Sequence, residues 1–547
     1  MKKLLINAVA VCLCSSIFAG GIVTNTNQSA SWVRLPSQDA SIGIPSVFFN
    51  PAGLMKLNNG FHISISNQTI VQNREIQNTY KGPAGLYGLN DSIYTGKVFA
   101  PVFPSVYAVY KMDKIAFSFG FNPIGGGGGA TFDQGLPSFE LSASDLVPSL
   151  ASQGASGYKL DAYFKGSSIY FGYQGGISYK ITENLSVFGG LRYVTAKNTY
   201  VGHLNDIELN MGGNWVRADA VFGGIVAKMD GLLAAPGTLQ PIITGGGGTF
   251  TLAQAETALI ITTQQRADLE AGLAYIGVPA TNIPLMNIST IQGAFNAAGP
   301  TLTATRLKSI ATGKLLRDQS ADVEQTGSGI TPIIGMNITY GKLNIGIKYE
   351  FVTKMNLTNK TNKDFTTGYL ANGDSLTMFP DGEETPNDMP AMLSMGVSAK
   401  ITDKLTINAG THLYFDKNVS YGKKINDQFV TNKSVMDKNY VEVSTGLEYN
   451  ITEKLLVSAG YLYAKSGVNN SYQSDLSYSL TSNTIGGGGA YKINDKIQVN
   501  AGVGYSMYYN DEKWSFHKFS ATGQYFSNKE TYYKDNIFVA VGVDISF

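Results

Sequence analysis

The chain has 547 residues, of which 15% are charged and 11% aromatic, with 62 glycines, 31 tyrosines and a formal net charge of +1. Soluble domains carry about 25% charged residues, so the deficit points to a large face turned toward lipid, as in a transmembrane barrel. The near-neutral balance gives no reason to expect a nucleic-acid partner.

Met1 to Ala19 reads Lys2-Lys3, a mainly apolar run from Leu4 to Phe18, then small residues. This is the pattern of a secretory signal peptide (1–19), cleaved near Ala19 or Gly20; a lipoprotein signal using Cys14 is the weaker alternative. Both cysteines, Cys12 and Cys14, lie inside it, which excludes disulfides and thiol catalysis from the remainder. Beyond it no apolar run reaches about 18 residues, which argues against a helical inner-membrane protein.

Asp39 to Leu57, DASIGIPSVFFNPAGLMKL, has neither the alternation of a strand nor the length of a spanning helix. At its centre stands Asn50-Pro51-Ala52-Gly53. Two local structures compete: a short helix capped by Asn50 with Pro51 as its first residue, and a type I turn with Pro51 second and Gly53 fourth. Either one carries Val47, Phe48, Phe49, Leu54 and Met55, which something else must bury.

From Phe61 onward one unit recurs: two alternating runs around a tight polar turn. Six such turns fall at 111–114, 180–184, 340–342, 400–404, 450–454 and 492–496. Ile115, Phe117, Phe119 and Phe121 alternate with Ala116, Ser118, Gly120 and Asn122, and Ile497 to Tyr505 repeats the pattern. Alternation alone fits a soluble sandwich equally well. Short turns alternating with long loops favour an outer-membrane barrel. Six pairs, one strand before them (61 to about 71) and one after (536–547) give fourteen. The expected fold is therefore all-β: a fourteen-stranded antiparallel transmembrane β-barrel (60–547), preceded by the restricted segment (20–59) and carrying a long, partly helical third extracellular loop (201–329). Within that loop 251–273 and 301–316 have helix-forming composition, forming either a substrate-collecting surface or a cap.

The order Asp39-Ala40-Ser41, then Phe48-Phe49-Asn50-Pro51-Ala52-Gly53-Leu54, shortly before a strand, closely resembles the FadL/TodX family of outer-membrane transporters for long-chain fatty acids and other hydrophobic compounds. The likeness includes Met389-Pro390 ahead of Met395-Gly396-Val397 and is least in the third loop. It implies a location in the cell outer membrane, a hatch plugging the lumen, capture of ligand in an apolar site, and sideways release beside a kinked third strand. No cofactor or covalent chemistry is implied. Partners are then hydrophobic small molecules, outer-membrane lipid and, through the terminal Phe547, the barrel-assembly machinery.

On this reading Asn50, Pro51, Ala52 and Gly53 are the hatch motif, and Phe48, Phe49, Leu54 and Met55 offer apolar surface to a ligand, or only pack the plug. Asn122, Pro123, Gly125, Gly126 and Gly127 are the candidate kink and lateral gate, since proline cannot donate to the ladder and glycines leave the wall without side chains. The alternative is that Pro123 ends the strand and the glycines open a loop. Arg192, Lys348, Glu350, Glu448 and Asp544 face the lumen, where such charges either pair and hold the hatch or guide a carboxylate. The glycine tracts lack a following Lys-Ser or Lys-Thr, and His62, His203, His412 and His517 have no ligand spacing, so neither a phosphate loop, a metal site nor an enzyme is expected. Two other classes remain: a structural or adhesive surface barrel, and a plugged general porin.

Overall fold

The computed structural model describes residues 21–547 apart from Leu86, 371–372, 426–427 and 520–521; the expected signal peptide with Cys12 and Cys14 lies outside the described residues. Fourteen strands form the wall: β1 Gly60–Asn78, β2 Ile93–Met112, β3 Ile115–Phe132, β4 Ala155–Thr182, β5 Leu185–Met211, β6 Gln319–Tyr340 and β7 Leu343–Glu350, then β8 Met392–Lys400, β9 Leu405–Tyr414, β10 Val441–Asn450, β11 Leu455–Lys465, β12 Ser482–Lys492, β13 Ile497–Tyr508 and β14 Tyr525–Ser546. Each pairs antiparallel with the next, and β14 closes on β1 from Asn78↔Glu530 to His62↔Ser546. All six expected turns join strand pairs, because two or so polar residues between alternating runs leave no other connection.

The outward side chains are apolar where they meet lipid. On β5, Leu191 and Tyr193 are exposed, and four residues further out Lys197 pairs with Glu324 of β6 at 2.5 Å. The hydrocarbon band therefore ends between them. β5 continues to Met211, rising about 35 Å above the band at ~3.4 Å per residue and a ~40° tilt. The third loop spans 212–318 rather than 201–329, since β4 and β5 stay paired from Lys165↔Val201 to Ala155↔Met211. Above the bilayer neither face need be apolar, so the period-two signal fades while the ladder goes on.

After α3 Pro137–Ser144 and α4 Leu146–Leu150 of the second loop, that third loop holds four helices: α5 Ala218–Thr244, α6 Leu252–Thr257, α7 Thr263–Tyr275 and α8 Ile288–Leu315. The single helix expected over 251–273 is two, each started by a Thr capping box (Thr251 with Gln254, Thr262 with Gln265). α5 was not expected because Pro236 and Pro241 lie inside it. It forms nonetheless because Met229, Leu232 and Leu239 share a core with Ile288, Ile291 and Phe295 of α8. Tertiary packing outweighs the lost backbone donors.

Residues 21–40 and 44–55 lie buried inside the barrel. They comprise α1 Ser29–Arg34, α2 Ser46–Phe49 and a 3₁₀ helix, Pro51–Lys56. From Val33 to Asp39 the segment crosses a belt of inward glycines that pair across the wall: Gly346↔Gly396↔Gly410 on β7, β8 and β9, and Gly446↔Gly460↔Gly486 on β10, β11 and β12. A Cβ on Gly460 would sit 2.8 Å from the Pro36 ring, one on Gly396 2.5 Å from Asp39 Cβ, and one on Gly502 of β13 2.7 Å from the Arg34 amide nitrogen. The hatch lies directly on strand backbone because the wall has no side chains there.

Gly460→Leu is therefore expected to push residues 33–39 off the belt and cost about 1–3 kcal/mol by overpacking. A lower urea midpoint of the folded band and a rise in small-ion conductance report it. Gly487→Ala is the control, its nearest foreign atom being Ser458 O at 3.6 Å, and both readings are expected to stay within error of the parent.

Candidate functional site: hatch anchors and the break in strand β3

The hatch motif resolves the two local alternatives in an unexpected way. Pro51 is the first residue of the 3₁₀ helix, and Gly53 N donates to Asn50 O at 2.9 Å, the closure of a type I turn. Asn50 does not cap with its side chain. Its Nδ2 donates to Asn337 Oδ1 on β6 at 2.7 Å and to Ser41 O at 3.2 Å. The wall in turn donates to hatch carbonyls: Gln174 Nε2 to Val47 (2.6 Å), Ser178 Oγ to Pro51 (2.7 Å), Ser186 Oγ to Ala52 (2.7 Å), Asn344 Nδ2 to Ala40 (2.8 Å) and Lys348 Nζ to Phe48 (2.6 Å). Irregular buried backbone needs such partners.

Of the lumen charges, Arg192 grips Glu350 with both terminal nitrogens, at 2.5 and 3.0 Å, while Lys348 reaches Glu350 at 2.8 Å. Glu448 takes Arg34 of the hatch at 2.6 Å, and Asp544 accepts from Asn500 Nδ2 at 2.9 Å. Arg192, Lys348 and Glu350 pair with one another and Lys348 and Glu448 hold the hatch, as one of the two expectations had it, while Asp544 bonds within the wall. Phe48 lies beneath Lys348 and Arg192, ring to cation 4.6 and 5.2 Å, and edge-on to Phe49 at 5.1 Å. Leu54 and Met55 are buried alongside.

A second ionic anchor was missed. His412 on β9 stands between Asp39 Oδ1 and Glu442 Oε2, each 2.6 Å from a different ring nitrogen. Only a doubly protonated ring donates to both. Ser394 Oγ adds a bond to Asp39 Oδ1 at 2.8 Å and Tyr414 OH one to Glu442 Oε2 at 2.7 Å. No local spacing links positions 39, 412 and 442, so only closure of the barrel unites them. With the outer loops numbered in chain order (79–92, 133–154, 212–318, 351–391, 415–440, 466–481 and 509–524), loop 5, above this cluster, is knit around Asp416, which accepts from Tyr421 OH and, at 3.2 Å, from Tyr440 N. Burial pushes the Asp416 carboxyl up to about 6.

The kink residues lie in a strand that does not end at Pro123. β3 runs on to Phe132 and keeps pairing with β4, with register shifts between Pro123 and Gly125 and between Gly125 and Gly128. Toward β2 the ladder is interrupted. Val106↔Phe121 is followed only by Val98↔Ala130, so 99–105 and 122–129 do not pair. Gly126 turns the chain with φ +92°, a region side chains avoid. The start of the hatch closes the break from inside. Asn25 N donates to Ile124 O at 2.7 Å, Gly126 N to Val23 O at 3.1 Å and Gln28 Nε2 to Pro123 O at 2.7 Å. Gln28 and Asn25 had gone unremarked, as had Pro101 and Pro104 on the opposing edge of β2. The two prolines were legible, being misplaced in an otherwise alternating run.

Above the break a cleft of about 20 Å³ is lined by Ala130, Phe132, Phe164, Tyr200 and Leu476, with Arg74 and Asp475 at its sides. That is room for about one water. Phe48, Phe49, Leu54 and Met55 lie elsewhere. The roof is aromatic: Phe139 of loop 2 meets Phe164 at 5.7 Å and Phe365 of loop 4 at 5.5 Å, and Phe379 stacks on Tyr200 at 4.9 Å.

A closed cylinder with a lipid-facing apolar band and a bore filled by its own amino-terminal segment defines a plugged outer-membrane barrel. Residues 285–513 match the family model described as outer membrane protein transport protein (OMPP1/FadL/TodX). The fold is that of a FadL homologue from Pseudomonas aeruginosa, with a TM-score of 0.57 at 11% identity over 96% of this chain and 100% of that one. A TodX monoaromatic hydrocarbon channel, the ΔS2S3 mutant, gives 0.50 at 12% identity over 95% and 99%. No curated protein matches the sequence. The resemblance first read from residues 39–54, which lie outside the matched range, is thus borne out by the family model over 285–513 and by the fold, and the location is the outer membrane.

His412→Ala is expected to cost about 3–5 kcal/mol by leaving two buried carboxylates face to face. Adding Asp39→Asn and Glu442→Gln to it is expected to recover part of that loss, read from urea midpoints. For Asp416, whose folded value lies above the ordinary one, stability is gained as pH falls through about 6 toward 4 and is lost above 6. Protection factors across 415–440, which divide out the intrinsic pH dependence of exchange, are expected to rise from pH 7 to pH 5, and Asp416→Asn to flatten that rise.

Proposed function

We propose that this barrel takes up long-chain fatty acids or other hydrophobic compounds, binding them in the aromatic cleft and releasing them sideways into the membrane through the break between β2 and β3. The observation that carries the reading is the unpaired stretch of wall, 99–105 against 122–129, against which residues 23–28 dock from inside. Each methylene moved from water into an apolar pocket gains about 0.8 kcal/mol, so transfer needs no bond-making chemistry. The cleft as it stands admits about one water, so capture requires residues 22–28 to move inward and uncover the glycines of β3. The hatch proper stays on its belt. Asn122, Pro123 and Gly125 to Gly127 then serve as the gate, while Asn50 to Gly53 with Phe48, Phe49, Leu54 and Met55 serve as its fixed base. The exposed ring of Phe547, beside Phe61 at 5.8 Å, is the feature offered to the assembly machinery.

The helical cap supports a second reading, adhesion. It has its own core and joins the stalk where Arg217 pairs with Asp318 at 2.9 Å and Asp206 at 3.1 Å and where Ala218 and Leu316 pack with Ile207 and Leu209.

Gly127→Trp, filling the cleft at the gate, is expected to lower fatty-acid or monoaromatic uptake by reconstituted vesicles at least tenfold while the heat-modifiable folded band persists; unchanged uptake sinks the proposal. Deleting 218–315 is expected to leave uptake within twofold of the parent, because the deletion ends meet at Arg217 and Asp318. Lost surface adhesion with intact uptake is the adhesive reading's signature.

A further inference from the structure

Two polar side chains face lipid at mid-height on β1. The outward positions of that strand run from Phe61 through Ile65 and Val71 to Asn73, whose Nδ2 donates to Asp535 of β14 at 3.0 Å where the apolar band ends. Asn67 stands midway between Phe61 and Asn73. Its register partner on β14 is Val541, and that of Thr69 is Val539, both turned out to lipid. An amide facing hydrocarbon is costly unless its donor and its acceptor are both bonded.

Both are bonded to β2. Asn67 Nδ2 donates to Pro101 O at 3.1 Å, and its Oδ1 accepts from Phe103 N at 2.9 Å. Thr69 Oγ1 donates to Pro101 O at 3.0 Å. The register gives the reason. Gln68 pairs with Phe103 and Ile70 with Ala100, so Pro101 and Val102 stand opposite the single residue Thr69. This extra residue is a β-bulge. It switches which positions of β2 face inward, Tyr94 and Val98 before it, Tyr107 and Val109 after it, and it turns Val102 out to lipid.

The bulge forms the β2 edge of the break in the wall, and the two edges are satisfied from different sources. The β3 edge relies on the hatch: Asn25 N donates to Ile124 O, Gly126 N to Val23 O and Gln28 Nε2 to Pro123 O. The β2 edge relies on its own neighbour in the wall, and Pro101 and Pro104 have no N–H to leave unmet. In hydrocarbon, backbone groups need such partners. Withdrawal of residues 22–28 therefore frees groups on β3 and leaves the bonds of the bulge as they are.

We propose that Asn67, aided by Thr69, fixes residues 101–103 as the stationary lip of the lateral opening, so that β3 and the start of the hatch are the parts that move. Asn67 is a positioning residue, touching the lip and not the cargo. The inference rests on the sideways release proposed above, and its test reads the lip as well as transport.

Spin labels are placed on the full barrel through Val102→Cys and Val539→Cys, which flank Thr69 on the lipid face two strand spacings apart, ~10 Å, and the protein is reconstituted in vesicles. The separation is expected to stay narrow and to be the same with and without oleate. Asn67→Val is expected to lengthen or broaden it by about 3 Å, one hydrogen-bond length, and to lower oleate uptake at least fivefold while the heat-modifiable folded band persists. Asn67→Gln, which keeps both amide groups, is expected to retain part of each. Thr445→Val removes a lipid-facing hydroxyl bonded to Asn408 O at 3.1 Å in the regular ladder between β9 and β10, and is expected to move neither reading. Thr69→Val carries the same two readings should Asn67→Val fail to fold. A separation unchanged by Asn67→Val, or one that shifts when oleate is added to the parent, overturns the proposal. Uptake that survives Asn67→Val but is blocked by Gly127→Trp overturns the lip alone, whereas uptake that survives Gly127→Trp removes the sideways route and the lip with it.

Discussion

The contact on which the rest depends is backbone against backbone: residues 33–39 of the hatch lying on inward glycines of the wall. A plug inside a barrel has to hide its own peptide groups while leaving the strands paired. On the side from β8 to β13 this is done by subtraction, with glycine where the segment crosses. On the side from β4 to β7 it is done by addition, with Gln174, Ser178, Ser186, Asn344 and Lys348 donating to the carbonyls between residues 40 and 52. Together they fix the hatch in height and rotation, and so fix where residues 22–28 meet β3.

Ionic anchors add specificity to that fit. Arg192, Lys348 and Glu350 bracket Phe48, Arg34 reaches Glu448, and His412 joins Asp39 to Glu442. Buried charges cost desolvation, and their attraction returns it only when geometry and further hydrogen bonds are good. Here each charged group has at least one opposite charge within 3 Å, which selects one seating of the hatch over sliding alternatives. The wall is correspondingly unequal. Where the hatch sits on glycine the ladder is regular; where its first residues arrive, β3 is broken by Pro123 and Gly126 and the opposing edge of β2 carries Pro101 and Pro104. The regular wall and the break are placed at opposite ends of one segment.

Above the membrane the barrel is lopsided as well. β4, β5 and β6 carry the chain far past the point where Lys197 and Glu324 mark the end of lipid, and on them rides a helical unit with a core of its own. The mouth below is roofed by aromatic contacts between loops 2 and 4, and loops 1, 2 and 7 are tied where Asp145 accepts from Tyr80 at 2.7 Å and meets His517 at 2.7 Å.

Sequence alone determined the number of strands, the six turns and the sign of each face, because lipid outside and polar lumen inside impose a period of two that needs no partner to be read. It also marked residues 39–57 as a backbone-restricted piece requiring burial, and left Pro123 with its glycines open between a kink in the third strand and its end. Only the tertiary structure decided what touches what. Asn50 looked like a cap because its local neighbours offered nothing better, yet Asn337, almost three hundred residues away, takes its amide. β4 and β5 outran their pattern once both faces met water, and α5 formed despite two prolines because α8 covered it. Asp39, His412 and Glu442 carry no shared motif: closure of the cylinder brings them together, and closure is a property of the whole sheet that no stretch of chain contains.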